Sequence, residues 1–151
     1  MNREEAYKIL EKNMTKPNLI KHCLAVESVL RHFAEINNED IEYWGNVGLL
    51  HDIDYELYPE EHCNKYREVF QGAVSEEFIK TLESHGFGLC TDIKPEKLME
   101  KVLITIDQLT GFIIACALVL PSKKLADVQI PSMLKKWKKK DFASRNRKRK
   151  N

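Results

Sequence analysis

Four residues of this 151-residue chain combine the types and the settings needed for metal chemistry: His22, His51, Asp52 and Asp107. The His51-Asp52 dipeptide is too common a pair to mean much by itself. Its company gives it weight. His22 falls on the apolar stripe of a helical pattern, and Asp107 lies inside the most hydrophobic stretch, among Ile104, Ile106, Leu109 and Ile113. A lone histidine on an apolar face is usually a satisfied core residue. A carboxylate in apolar surroundings is harder to accommodate, because burying it unpaired costs several kcal/mol. No Lys or Arg lies between Lys101 and Lys123 to pair with Asp107. One divalent cation held by two imidazoles and two carboxylates would satisfy all four residues, and that ligand set suits zinc, iron, manganese or nickel.

The elements that must position these residues read as helices almost throughout. Residues 4–13 place Ala6, Ile9 and Leu10 on one face. Thr15 is a cap candidate, with Pro17 suited to the first turn of the next helix. That helix sets Leu19, His22, Val26, Val29, Phe33 and Ile36 on one stripe and ends at Asn37-Asn38. Asp40 opens a third helix with Ile41, Trp44, Val47 and Leu50 inward, running to His51-Asp52. Gly45 and Gly48 within it mark close helix packing. A proline-started helix is predicted from Tyr58 through Phe70, with His62 and Tyr66 on one side. Ser75 caps another over residues 76–84, which Gly86 and Gly88 stop. Pro95 leads into the long segment carrying Asp107; Ser122 begins a short helix and Pro131 a last one. No run alternates apolar and polar residues between turn signals, so the prediction is an all-α fold. Its body is one domain over residues 1–134, followed by a basic tail over residues 135–151.

Charge separates these two parts. The formal net charge is +1, yet residues 135–151 contain ten basic side chains and one acid, Asp141, so the body is acidic. An acidic body disfavours a broad nucleic-acid face, which needs clustered Lys and Arg. Residues 102–120 are just long enough for a membrane span, but Asp107 and Gln108 lie inside, and a buried core helix is the better reading. The N-terminal residues mix both charges and lack an apolar signal core. Cys23, Cys63, Cys90 and Cys116 stand far apart with no C-x-x-C, reading as reduced, mostly buried thiols with no spacing that builds a catalytic setting. The expectation is a soluble cytoplasmic protein without a membrane partner.

The ordered set His22, His51-Asp52, Asp107 on helices resembles the HD superfamily of metal-dependent phosphohydrolases, in particular its small stand-alone bacterial members. The contexts that carry the likeness are NLIKHCLAVESVLRHFA, GLLHDIDYE and ITIDQLTGFI, covering roughly residues 15–120. The resemblance implies an HD-type helical bundle in which His22, His51, Asp52 and Asp107 ligate one divalent ion (Mn, Fe, Ni, Zn or Mg). Some members hold a second ion through further histidines, for which His62 and His85 are the candidates here. The adjacent paired histidines of several two-metal relatives are absent. With one metal, His85 or His62 would orient water or protonate a leaving group; Glu56 is a further base or outer-sphere candidate, and His32 is unassigned. The implied reaction is hydrolysis of a phosphate ester, of a nucleotide or another small molecule, by hydroxide formed at the metal. No Gly-rich phosphate loop supports a particular substrate.

Two alternatives belong to other classes: a catalytically idle HD module that binds metal and a nucleotide, or a nucleic-acid adaptor acting through the tail, where Trp137 would stack on a base. The tail reads equally as a solvated terminus or as a shortened end of the family fold, in which case a homodimer would cover the exposed face.

Overall fold

In the computed structural model, which describes residues 1–139, the elements are helices joined by turns. The order is α1 (Arg3–Asn13), α2 (Pro17–Ile36), α3 (Ile41–Leu50), α4 (Tyr66–Phe70), α5 (Glu76–Ser84), α6 (Leu98–Leu118) and α7 (Ile130–Trp137), with 3-10 turns at Pro59–Glu61 and Leu125–Asp127. An isolated Phe87–Thr91 bridge is the only sheet-like pairing among the described residues. The fold is all-α. Most of the basic tail, from residue 140 on, lies outside the described residues, so its proposed roles have no structural counterpart here. The described residues gather into two compact units, Met1–Asp107 and a second that begins at Gln108.

Within the first unit, α2 and α3 form the most extensive helix pair, and α1 and α5 also pack on α3. Gly48 sets how close that pair comes. A Cβ there would lie 2.9 Å from both Cα and N of Glu27, so the two backbones meet where no side chain fits. The expected stripe of α2 meets the core through Val26, with Leu19, Val29 and Phe33 packed against it. The buried face of the helix is Cys23, Val26, Leu30 and Ala34, with Glu27 among them, whereas Ile36 of the expected stripe is 57% exposed. Glu27 tolerates burial because Arg3 Nε and Arg31 Nε donate to it at 2.6 and 3.0 Å. In α3, Trp44, Val47, Leu49 and Leu50 are buried, but Ile41, expected inward, is exposed. Asp40 caps this helix by accepting from Tyr43 N, and Ser75 caps α5 by accepting from Phe78 N.

Two other local expectations fail for identifiable reasons. Thr15 does not cap α2; it binds Glu56, whose carboxylate accepts from Thr15 Oγ1 (2.6 Å), Thr15 N and Lys16 N. The predicted helix from Tyr58 to Phe70 is broken at His62–Lys65. Cys63 adopts a positive φ of 70°, and Asp54 accepts the Lys65 N–H that a continuous helix would have used internally. By length and apolar composition α6 is the one described helix able to cross a membrane. Its part within the first unit places Met99, Leu103 and Ile106 in the hydrophobic core. In the second unit, Phe112 meets Trp137 edge-on, with ring centroids 4.9 Å apart.

Candidate metal centre

Helix ends supply two of the imidazoles by the same device. His51 follows the last residue of α3, and its Nδ1 donates to Gly48 O at 2.8 Å. His85 follows α5, and its Nδ1 donates to Leu82 O at 2.5 Å. Each bond ties the ring to a carbonyl in the last turn of its helix and orients it so that Nε2 faces inward. The His51 backbone is fixed further by Tyr66, whose Oη donates to His51 O at 2.5 Å. His62 sits in the break before α4. Its Nδ1 donates to Asp54 Oδ1 at 2.8 Å, and Asp54 is fully buried.

The turn after α3 drops Asp52 between these rings. Its Oδ2 lies 3.3 Å from His51 Nε2 and 3.5 Å from His22 Nε2, which α2 brings in from its first turns. Asp107, on α6, completes this side: its Oδ1 is 2.9 Å from His22 Nε2 and 3.6 Å from His51 Nε2. His22 and His51 Nε2 are 3.2 Å apart. On the other side Asp52 Oδ1 faces His62 Nε2 at 3.3 Å and His85 Nε2 at 3.4 Å. That oxygen is buried, and the two rings are the polar neighbours it faces. The single Asp52 carboxylate therefore spans two groups of nitrogen donors.

The first group fits a cation by its own dimensions. Ligands at about 2.1 Å from one ion stand roughly 3.0 Å apart at right angles and roughly 3.4 Å apart in a tetrahedron. The separations among His22, His51, Asp52 and Asp107 bracket those values, and the four donor atoms all lie within 4.8 Å of one another. A second group of His62, Cys63 and His85 meets the same limit, with Cys63 Sγ 3.8 Å from His85 Nε2. These are two clusters consistent with a divalent metal ion.

Electrostatics point the same way. Burial alone would lower the pKa of His51, but the charge of Asp52 and the hydrogen bonds to Asp107 and Asp52 overcome it and raise it to about 10. His62 likewise rises against burial to about 9, through Asp52 and then Asp54. Burial would push Asp52 and Asp107 up, yet the surrounding imidazoles hold both carboxyls well below their usual range. Two buried anions thus gather positive charge around them, as protons or as a metal ion.

The HD domain family is matched over residues 19–128 of the sequence. The chain belongs to the HD-domain family. No curated protein and no solved structure gives a significant match to it. In this HD domain His22, His51, Asp52 and Asp107 meet at one point, and His62 and His85 meet on the far oxygen of Asp52. Glu56, considered as a base, is engaged instead at the start of α2, bound to Thr15 and Lys16. His32 stacks edge-on with Phe33. Asp54 was not a sequence candidate, although HDID places it two residues after Asp52 and its buried carboxylate positions His62. The approach of Cys90 Sγ to Cys63 Sγ, 2.8 Å, had no sequence signal at all.

Proposed function

We propose that this HD domain is a metal-dependent phosphohydrolase acting on a phosphate ester of a small molecule, nucleotides included. The observation that carries this reading is the Asp52 carboxylate. It is buried and shared between two sets of imidazoles, one oxygen facing His51 and His22 and the other facing His62 and His85.

His22, His51, Asp52 and Asp107 would hold the ion. What such an ion supplies is a lowered pKa for water and positive charge beside the phosphoryl oxygens of an anionic substrate. The protein contributes orientation. The Gly48 and Leu82 carbonyls keep His51 and His85 from rotating away, and Asp54 does the same for His62. With one ion bound, His62 is the group placed to pass a proton to the leaving oxygen, since Asp54 steadies its protonated form. With two, His62 and His85 Nε2 and Asp52 Oδ1 would ligate the second, and the metal stoichiometry distinguishes these cases.

The test is metal analysis of the purified protein together with a screen of phosphate esters in the presence of Mn²⁺, Ni²⁺ or Mg²⁺. Asp52→Ala should abolish metal binding and hydrolysis together. Hydrolysis surviving in Asp52→Ala would refute the reading, and metal binding with no hydrolysis of any ester would favour an idle binding module.

A further inference from the structure

Two sulfur atoms beside the second group come from separate segments, each following one of its histidines. Cys63 is the residue after His62, and Cys90 lies in the turn that follows His85. Their Sγ atoms are 2.8 Å apart. Several features hold this pair in place. Asn64 Nδ2 donates to both His62 O (3.1 Å) and Cys90 O (3.2 Å), clamping one segment to the other. Cys90 N donates to Gly86 O at 2.9 Å, which closes the turn carrying Cys90. A Cβ at Gly86 would collide with the sulfurs of both Cys90 and Cys63, so the glycine leaves the space that the pair fills. Cys63 is fully buried, whereas Cys90 is partly exposed.

We propose that Cys63 and Cys90 are a redox-active pair that closes to an intramolecular disulfide under hydroperoxide and reopens under thiol reductants. The partly exposed Cys90 thiol attacks the peroxide. Its S–H and the O–O bond break, a sulfenic acid forms on Cys90, and the peroxide leaves as an alcohol or, from hydrogen peroxide, as water. The Cys63 thiol then displaces the hydroxyl of that sulfenic acid; the S–S bond forms, the S–O and S–H bonds break, and water leaves. Two thiols are oxidised by two electrons and one hydroperoxide is reduced. The sulfurs need to approach by less than ~1 Å to reach the usual S–S bond length. Closure ties the segment carrying His62 to the turn after His85 and removes Cys63 Sγ from the second group of possible ligands.

The test treats the full chain with hydrogen peroxide, alkylates the remaining thiols, digests the protein, and compares peptides with and without reductant. Cleavage at Lys65, Arg67 and Lys80 separates the two cysteines. The expected result is a Cys63–Cys90 linked peptide that reductant resolves, with Cys23 and Cys116 alkylated in both samples. In Cys90→Ser, Cys63 should remain a thiol after the same treatment, and mapping of the wild-type chain decides the matter even if this variant fails to fold. Cys90 carried to the sulfinic acid while Cys63 stays a thiol would overturn the proposal. So would disulfides between chains, or two unmodified thiols.

Discussion

Metal binding at the first group should be strongly pH-dependent, and the size of the effect follows from His51. In the metal-free chain this imidazole titrates at about 10, and its Nδ1 already donates to Gly48 O, so the proton that leaves comes from Nε2. An ion taking that nitrogen must displace the proton. Near pH 7.5 the gap is roughly 2.5 units, or about 3 kcal/mol at about 1.4 kcal/mol per unit, a loss of some 300-fold in apparent affinity. Raising the pH from about 7 to about 8.5 should recover 1.5 of those units, tightening Mn²⁺ binding about thirtyfold for each proton displaced. Calorimetry in two buffers of different ionisation heat should count at least one proton released per ion. An affinity flat over that range, with no buffer dependence, would refute both the charge pairing and the assignment of His51 as a ligand.

Stability should show the same linkage with a definite sign. A pKa raised from 6.5 to about 10 gives His51 a stabilising contribution that is whole below about pH 6.5 and lost as pH rises through 10. Asp52 and Asp107 are depressed, so theirs is present above about 3.8 and lost as pH falls through their lowered values. For His51 the shift amounts to an upper figure of about 5 kcal/mol, which shares its attraction with Asp52 and is not to be counted twice. Thermal melts of the metal-free chain should therefore fall between about pH 7 and about pH 10, while those of the metal-loaded chain should fall much less.

Two substitutions test the supports of the centre. Gly48→Ala should destabilise the chain by about 1–3 kcal/mol in urea unfolding, because its Cβ meets Glu27 backbone. Gly45→Ala meets only the Arg31 side chain and should be the milder change; equal effects would argue against the backbone contact. Asp54→Asn should lower the His62 pKa from about 9 towards neutrality in an NMR titration and slow phosphate-ester hydrolysis by about 10–100-fold. An unmoved His62 pKa would mean that Asp52 alone sets it.

The first group was legible in the sequence because its members broke a local rule in ways that only a shared partner repairs. Asp107 stood in apolar sequence with no cation nearby, and His22 stood on a helix stripe. The helices were legible through caps such as Asp40 and Ser75, whose bonds are local. What escaped depended on contacts between distant segments. PEEHCNKYREVF has the periodicity of one helix, yet Asp54 draws off the Lys65 N–H and the His62 ring and breaks it. Glu56 looked like a base by its spacing from Asp52, and only the path of the chain puts Thr15 beside it. The stripe of α2 was legible through Val26, Leu19, Val29 and Phe33, which meet the core, and failed only at its end, where Ile36 is exposed.

Gly48 also shows why fold and site are difficult to separate here. Its missing side chain lets α3 lie against the backbone of α2, the helix that carries His22. Its carbonyl takes the Nδ1–H of His51 and turns Nε2 of that ring towards His22. One residue thus fixes both the distance between the two helices and the orientation of the ring that closes the gap. A larger residue at this position would move His22 away from His51 before touching either ring. Loss of metal affinity in Gly48→Ala should therefore accompany loss of stability, whereas Asp52→Asn should lose metal while keeping the helix pair intact.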